Sequence, residues 1–193
     1  RSAAIVEMAR AIKAALDRTL ITSNAGKSYL KEVANICSDN NKHLSWTTPS
    51  GFKVVHYYIK RQSRRSTAKL FNNKELHFFV KTDVPCPRTA RQAIAPNYIH
   101  SLDAAHMFLT LYKLIFLGVK DYCMIHDSFG GHANDTPILM KTLRQEFKEM
   151  HKSNLLLDFK RDIEHSLGTI LPEVPLRGDL EIESVLDSQY FFA

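Results

Sequence analysis

The sequence predicts an α+β fold in which a small antiparallel sheet and a basic β-hairpin are flanked by helices. Apolar residues recur every three or four positions in several long stretches, which is the period of amphipathic helices. Shorter stretches rich in β-branched and aromatic residues are typical of strands. The helical stretches are residues 2–39, 96–117, 137–152 and 155–167, and the extended ones are 43–48, 52–59, 68–71, 76–80 and 121–125.

The first part of the chain is a helical segment followed by short strands. Asn24-Ala25-Gly26 interrupts the helical pattern and Ser38-Asp39-Asn40-Asn41 stops it, since glycine and small polar residues favour turns. The segment around Trp46 is extended, and Pro49-Ser50-Gly51 forms a turn before the strand at 52–59.

Residues 60–81 are the most basic part of the chain. Two strand-like runs, Ala68–Phe71 and Leu76–Val80, flank the turn Asn72-Asn73-Lys74-Glu75, which predicts a β-hairpin. Basic side chains commonly guard an exposed sheet edge, but they also suit contact with nucleic acid, and charge alone leaves both readings open. Thr82 to Ala93, which contains two prolines, is predicted to be a linker or an exposed loop.

A long helix is predicted from Pro96-Asn97 to about Leu117, with Gly118 as its stop. Its apolar stripe consists of Tyr98, Leu102, Ala105, Leu109, Tyr112 and Phe116. His100, Asp103 and His106 lie beside this stripe, but positions i, i+3 and i+6 spread over about a third of a helix circumference and converge poorly on one metal ion. Asp135-Thr136-Pro137 then supplies an N-cap and an N1 proline for the helix at 137–152.

The dipeptide His126-Asp127 is the most informative feature of the chain. It follows the apolar run Asp121–Ile125 and precedes Ser128-Phe129-Gly130-Gly131. An apolar strand that ends in a carboxylate at a tight turn holds that charge where a cation could share it. Such a group suits in-line displacement at phosphorus, which two cations catalyse by binding the attacking and leaving oxygens.

The composition excludes several classes of protein. The net charge of +6 over 193 residues favours polyanionic partners. Three distant cysteines without a CxxC spacing predict neither a disulfide framework nor a cysteine zinc site. No apolar stretch is long enough to cross a bilayer, and we expect no membrane partner. The phosphate-loop, dinucleotide-binding and serine-hydrolase motifs are absent.

Four segments resemble, in order and in spacing, motifs of the single-subunit, bacteriophage-type RNA polymerases, a family that includes mitochondrial and plastid enzymes. They are Trp46–Val55, similar to W-x-T-P-x-G-F-P-V-V; Ala95–Met107, similar to P-N-F-[IV]-H-S-x-D-x-x-H; Met124–Gly130, similar to the third polymerase motif; and Tyr190-Phe191-Phe192-Ala193, similar to the aromatic C-terminus. The resemblance extends from about residue 10 to 193. It implies the C-terminal palm-and-fingers portion of a right-hand polymerase.

The resemblance implies roles for three residues near the chemistry. Asp127 would be one of the two palm carboxylates that hold the catalytic Mg²⁺ ions. Its neighbour His126 would support the geometry of the site or contact the growing RNA end. His100 would contact the minor groove of the primer-template duplex close to the active site.

Further positions are implied less directly. The region at about 61–81 corresponds to the promoter-reading specificity loop, where Arg64, Arg65 and Lys69 are the better candidates for DNA contacts. Phe192 and the carboxylate of Ala193 would pack near the catalytic centre.

The implied reaction is attack of an RNA 3′-hydroxyl on the α-phosphorus of an NTP, with two Mg²⁺ ions and a DNA template. Two parts of the family pattern are missing: an earlier D-G motif with the second carboxylate, and the R-x3-K-x3-M-T-x2-Y-G fingers helix that binds the NTP. We therefore expect the chain alone to be inactive and to need the remainder of the polymerase, as a second chain or as a missing N-terminal segment. Arg1 in place of methionine fits a processed or excised piece.

Three alternatives stay open. A family A DNA polymerase shares the palm, although Ser128 and the pair His100-Ser101 favour the RNA enzyme. A non-catalytic DNA-binding polymerase subunit, or a basic domain with a chance His-Asp turn, would also fit.

The sequence divides into a helical region 1–45, a strand and hairpin region 46–93 and a palm region 94–193. The His126–Gly130 motif favours a phage-infected host cytoplasm over an organelle matrix.

Overall fold

The computed structural model describes residues 2–68 and 74–191, and within them it has an α+β architecture, as predicted. The elements in chain order are helices α1 (Ser2–Thr19) and α2 (Ile21–Asp39), strands β1 (Leu44–Thr47), β2 (Lys53–His56), β3 (Ile59–Ala68) and β4 (Lys74–Pro85), helix α3 (Pro87–Phe116), strands β5 (Tyr122–Ile125) and β6 (Ser128–Gly131), and helices α4 (Thr136–Lys152) and α5 (Leu155–Leu167). Sequential strands pair antiparallel as β1–β2, β3–β4 and β5–β6.

The main core is built around Trp46, the middle of β1. Trp46 is 2% exposed, and its ring lies 5.5 Å from Phe159 of α5 and 6.0 Å from Tyr98 of α3, measured between centroids. Helix α2 adds Val33 and Cys37, which are fully buried. Because residues of α3 and α5 both pack on this indole, the position of α3 is fixed relative to β1 and α5.

A second, smaller core holds the β5–β6 hairpin. It consists of Leu114, Val119, Leu139 and Leu143, with Met124, Phe129 and Phe191 packed against it. Gly118 ends α3 with a φ of +87°, a conformation that glycine adopts without a Cβ penalty. The turn brings Val119 back onto Leu114, with a backbone hydrogen bond of 3.0 Å. The hairpin is thereby packed between α3 and α4.

Two helix boundaries differ from the prediction. The N-terminal helix breaks at Leu20, and Asn24-Ala25-Gly26 lies inside α2. A Cβ on Gly26 would lie 4.0 Å from Leu156, an ordinary contact distance, so the helix accommodates this glycine without requiring it. The predicted ends at Asp39 and Gly118 are confirmed, as are the helices predicted at 137–152 and 155–167, the first of which begins at Thr136.

The predicted loop from Thr82 to Ala93 is wrong. Strand β4 continues to Pro85, and α3 begins at Pro87 rather than at Pro96. Pro87 occupies the first turn, where the missing N–H costs nothing, and the buried Ala90 and Ile94 supply the apolar face that supports the additional turns. Pro96 lies inside the helix.

The strand bounds in the basic stretch also differ. Ala68 ends β3 instead of beginning a strand, and Lys74 and Glu75 belong to β4 rather than to a turn. The predicted positions 69–73 lie outside the described residues. The strand predicted at 52–59 is divided between β2, which ends at the buried His56, and β3, which begins at Ile59.

The apolar stripe of α3 is correct only in its first half. Tyr98 and Ala105 are buried, whereas Tyr112 and Phe116 are 71% and 79% exposed. The buried face continues instead through polar His106 and Thr110 to Leu114. A pattern of apolar residues alone cannot reveal a buried face that includes polar side chains. Within the described ranges, no helix combines the length and the apolar character that crossing a membrane requires.

Candidate catalytic groove

His126 and Asp127 form the two-residue turn of the β5–β6 hairpin. Ile125 pairs with Ser128, so these two residues alone connect the strands. His126 has a φ of +54°, in the left-handed region, and both side chains are exposed. Histidine enters this region more readily than most residues, but not without cost. The tight turn therefore fixes Asp127 at the tip of a short, packed hairpin.

A groove of about 900 Å³ lies between this turn and α3. Its lining residues are His100, Asp103, Ala104 and Met107 from α3 and Met124, Ile125, His126 and Asp127 from the hairpin. Three of the predicted site residues, Asp127, His126 and His100, are thus brought together although His100 and His126 are 26 positions apart in the sequence. The carboxylate of Asp127 faces an open groove and not a dry interior.

Asp103 is a groove residue that sequence reasoning missed. Helical geometry disfavours His100, Asp103 and His106 as a metal triad, and the resemblance implies a role for His100 but none for Asp103. One turn of α3 places Asp103 beside His100 on the groove wall. The spacing in the sequence could have revealed this, because a residue three positions after His100 lies on the same face of the helix.

The groove offers part of a ligand set for a hard cation. Mg²⁺ is usually held by one or two carboxylates together with water and substrate phosphates. Asp103 and Asp127 provide carboxylate oxygens of this type. The described residues contain no group of three or more histidine, cysteine or acidic side chains that could hold a metal ion. Residues 2–68 and 74–191 therefore contain two carboxylates of the right type at this groove but no complete protein cage.

His106, the third member of the pattern, supports the groove from behind. It is 4% exposed, and its Nε2 lies 2.9 Å from the carbonyl oxygen of Leu143 on α4. Its ring also contacts Phe129 of β6, with centroids 6.0 Å apart. Burial lowers the pKa of His106, and the hydrogen bond to Leu143 opposes this only in part. His106 is therefore a neutral packing residue that links α3, α4 and the hairpin.

The tryptophan motif and the helix motif meet beside His100. The indole Nε1 of Trp46 donates to Ser101 Oγ at 3.0 Å, and Ser101 Oγ donates to the carbonyl of Tyr98 at 2.7 Å. Since Ser101 follows His100 directly, β1 anchors the turn of α3 that presents His100 to the groove. Sequence reasoning did not assign this role to Ser101.

A second network ties the base of β3 to α3. Asn97 Nδ2 lies 3.2 Å from His56 Nδ1 and 3.1 Å from Tyr58 Oη, and His56 Nε2 lies 3.0 Å from the carbonyl of Ala90. With Asn97 as donor, Nδ1 accepts and Nε2 carries the proton that is donated to Ala90. Burial lowers the pKa of His56, which agrees with this neutral tautomer.

The predicted DNA-contacting arginines do not share a face. Arg64 pairs with Phe78 and Arg65 pairs with His77, and successive residues of a strand point to opposite faces. Both side chains are exposed, and neither lines the groove. Lys69 lies outside the described residues.

The C-terminal segment packs on α4 through its last described residue. The ring of Phe191 lies 5.1 Å from that of Phe147, and the guanidinium of Arg144 lies 5.5 Å from the Phe191 centroid. Tyr190 is 79% exposed. Phe192 and Ala193 lie outside the described residues, so their predicted position near the catalytic centre stays a prediction.

The chain is similar to known polymerases over most of its length. The family model for DNA-dependent RNA polymerase matches residues 2–170. DNA-directed RNA polymerase 2, chloroplastic/mitochondrial, of Arabidopsis thaliana is 35% identical over 95% of the chain. DNA-directed RNA polymerase 1, mitochondrial, of the same plant is 33% identical over 92%, and DNA-directed RNA polymerase 3, chloroplastic, of Nicotiana sylvestris is 31% identical over 95%.

The chain spans 18% of the length of each of these three relatives. Their names are those of organelle enzymes, and the expectation of a phage-infected cytoplasm finds no support in them. The match to an RNA polymerase family also decides against the family A DNA polymerase. With a groove that unites two of its motifs and a family match over residues 2–170, the chain belongs to the DNA-dependent RNA polymerase family.

Proposed function

We propose that this chain is the C-terminal part of a DNA-directed RNA polymerase and supplies, through Asp127, one of the carboxylates that hold the catalytic Mg²⁺ ions. One observation carries the proposal. Asp127 and His100 belong to two separate motifs of the polymerase resemblance, and they line the same open groove. The reaction is template-directed transfer of a nucleotide from an NTP to the 3′-hydroxyl of RNA.

Each groove residue has a definite task in this reaction. The carboxylate oxygens of Asp127 bind cation, and Asp103 adds negative charge to the same groove. Bound Mg²⁺ supplies positive charge that stabilises the attacking and leaving oxygens. His100 offers a ring nitrogen to the minor groove, where both A·T and G·C pairs present acceptors at equivalent positions. An N–H donor there tests pairing geometry without selecting a base. We assign His126, the neighbour of Asp127 on the turn, to supporting the geometry of the site or contacting the growing RNA end.

The remaining parts of the active site come from outside this chain. Two Mg²⁺ ions and a triphosphate need more oxygen and cationic ligands than Asp127 and Asp103 provide. We infer that a second carboxylate and an NTP-binding helix are contributed by the rest of the polymerase. The DNA template, the RNA product and NTPs are its other partners.

The proposal extends to the regions around the groove. We assign the β5–β6 hairpin with α3 to the palm of a right-hand polymerase, and the β3–β4 hairpin to the promoter-reading loop. The compartment that we infer is a plastid or a mitochondrion, because similar relatives are named chloroplastic or mitochondrial. This replaces the phage-infected cytoplasm favoured by the sequence.

The test is Asp127→Ala in the polymerase assembled from this chain and the remaining polymerase segments. Removing one preorganised electrostatic group from an active site typically costs a factor of about 10²–10³ in rate, so we expect nucleotide incorporation to fall at least about a hundredfold. Asp121→Ala is the matched control, because Asp121 is an exposed aspartate at the other end of the same hairpin. Near-normal incorporation by Asp127→Ala would show that the chain is a non-catalytic DNA-binding subunit.

A further inference from the structure

A second cavity, of about 510 Å³, lies between β1, α3, α4 and α5 and shares no lining residue with the catalytic groove. Its wall is about half apolar, and the apolar part includes Trp46, Leu102, Leu109, Met150 and Phe159. Every charged residue in its lining is acidic: Glu146 and Glu149 from α4, and Asp158 and Asp162 from α5. We call this cavity the acidic cleft. Four carboxylates around one cavity contrast with the net charge of +6 of the chain.

Two of the four carboxylates form no direct ion pair within the described part of the chain, although the charge of Lys113 acts on one of them, Glu146. Glu149 pairs with Lys152 at 2.7 Å and Asp158 with Arg161 at 3.3 Å. Asp162 accepts only the backbone N–H of Thr47, at 2.6 Å, and Glu146 forms no ion pair there. Glu146 is partly buried, and burial raises its pKa. An incoming cation would gain most beside such a carboxylate, since water solvates it incompletely.

Tyr98 gives an independent indication of a ligand. Its side chain lines the acidic cleft and is 4% exposed, and its hydroxyl has no hydrogen-bond partner among the described residues. Leaving a buried polar group without a partner is unfavourable, because its hydration is lost and not replaced. The phenol oxygen can accept from an ammonium or a guanidinium that also reaches Asp158, whose charge acts on the Tyr98 hydroxyl.

An apolar patch adjoins the acidic cleft. Leu109 lines both the cleft and a shallow cavity formed by Phe108, Tyr112 and Ile115 on the outer face of α3. These three side chains are 40%, 71% and 53% exposed, and Phe52 stacks on Phe108 with ring centroids 5.1 Å apart. A contiguous exposed apolar patch of this kind marks an interaction surface. Together, cleft and patch present negative charge beside apolar surface.

We propose that the acidic cleft and its apolar patch bind a basic, amphipathic polypeptide segment of a partner protein. A lysine or arginine enters the cleft towards Glu146, Asp162 and the Tyr98 hydroxyl, and neighbouring apolar side chains cover the patch. Nucleic acid does not fit, because the four carboxylates repel phosphates. A bare metal ion does not fit either, since these carboxylates do not converge into a metal-binding group in the described residues. The inference is independent of catalysis in the groove.

The fluorescence of Trp46 tests this directly, because Trp46 lines the cleft and is the only tryptophan of the chain. The 193-residue chain is titrated with a tryptophan-free amphipathic peptide of lysine and leucine. The comparison peptide replaces every lysine by glutamate. We expect a saturable change at one peptide per chain with the basic peptide only, and weaker binding at higher salt because exposed charges are screened.

The variant Glu146→Gln with Asp162→Asn removes two charges and keeps an acceptor for Thr47 N–H. Glu181→Gln with Glu183→Gln is the control, because it changes the net charge equally at exposed positions outside the cleft. We expect the first pair to weaken binding about tenfold or more, as loss of hydrogen bonds to charged groups does, and the control to bind normally. Circular dichroism verifies the fold of both.

Several results would overturn the proposal. These are no response to the basic peptide, an equal response to the acidic peptide, equal weakening by the control pair, or a fluorescence change that follows self-association of the chain in analytical ultracentrifugation. The polymerase proposal fails separately, through incorporation assays on Asp127→Ala, so the two proposals can fail independently.

Discussion

His126 has a left-handed backbone at the turn that carries Asp127. For a residue with a Cβ, this conformation costs about 1–3 kcal/mol unless the surroundings enforce it. Two features hold His126 in this conformation. Ile125 pairs with Ser128 across the turn, and Met124 and Phe129 pack on the second core. The strain is thus stored beside the proposed catalytic carboxylate.

We predict that the backbone strain at His126 affects the free energy of unfolding independently of the imidazole side chain. His126→Val should lower the free energy of unfolding by about 1–2 kcal/mol, because β-branched residues are least tolerated at positive φ. His126→Gly removes the strain but increases the entropy of the unfolded chain, and the net change should stay within about 1 kcal/mol. Urea unfolding measures both. An equal loss in both variants would show that the imidazole, and not the backbone, stabilises the turn.

The buried histidines predict how stability depends on pH. Burial lowers the pKa of His56 and of His106 in the folded chain, so the unfolded chain takes up protons first as the pH falls. Their contribution to stability is therefore full above the unfolded pKa of about 6.5 and is lost as the pH falls below it. Each histidine can contribute up to about 1.4 kcal/mol per pH unit.

His106→Gln should reduce this slope while retaining a donor for the carbonyl of Leu143. The measurement is the free energy of unfolding in urea between pH 7.5 and about pH 5. The exposed His165 is the control site, where the same substitution should leave the slope unchanged. If His106→Gln has the slope of the unchanged chain, protonation of His106 is not what destabilises the fold.

The β3–β4 hairpin has two chemically different faces. Strand alternation and the observed register put Arg61, Arg65 and Lys81 on one face, with Phe79. The other face carries Arg64 beside the apolar row Leu76, Phe78 and Val80. The sequence analysis begins the strand at Ala68, so it does not apply this alternation to Arg64 and Arg65, which lie inside β3 in the structure.

We predict that the two arginines differ in DNA binding. If the face with Arg61, Arg65 and Lys81 lies on the DNA, Arg65→Ala should reduce the slope of log K against log salt by about one, as loss of one phosphate contact does. Arg64→Ala, the matched control on the other face, should change the slope much less. Fluorescence anisotropy with duplex DNA at several salt concentrations measures both. A larger change of slope for Arg64→Ala than for Arg65→Ala would place the apolar face, with Arg64, on the DNA.

At the scale of the whole molecule, the sequence predicted local features better than the boundaries set by tertiary packing. The His126-Asp127 turn, the helix at 155–167 and the Gly118 stop were correct because a turn residue, a cap and a periodic apolar face are local signals. The start of α3 was missed because two prolines both suit a helix N-terminus, and only the burial of Ala90 and Ile94 decides between them. The groove itself was implied by the family resemblance, whereas its wall residue Asp103 needed the packing of α3 on the hairpin.

The three cysteines report on the integrity of the whole fold. Burial raises the pKa of the fully buried Cys37 to about 12, whereas Cys123 is exposed on β5. Hydrogen bonds from Thr89 lower the pKa of the partly exposed Cys86 at the start of α3. Since the thiolate is the reactive form, Cys86 and Cys123 should be alkylated in the native chain and Cys37 only after opening of the main core. Mass spectrometry after timed iodoacetamide labelling distinguishes the three sites.

Trp46→Ala tests whether the main core, whose opening is followed by the labelling of Cys37, unfolds together with the core that holds the catalytic hairpin. Truncating a buried tryptophan costs about 3–5 kcal/mol, which is a large part of the 5–15 kcal/mol that holds a typical domain together. Labelling of Cys37 should accelerate by at least about a hundredfold, since 1.4 kcal/mol is a factor of ten in the opening equilibrium. Leu139→Ala, in the second core, should accelerate Cys37 much less if the two cores open separately. Equal acceleration by both substitutions would mean that the cores unfold as one unit, so that the Trp46 core and the catalytic hairpin share a single cooperative transition.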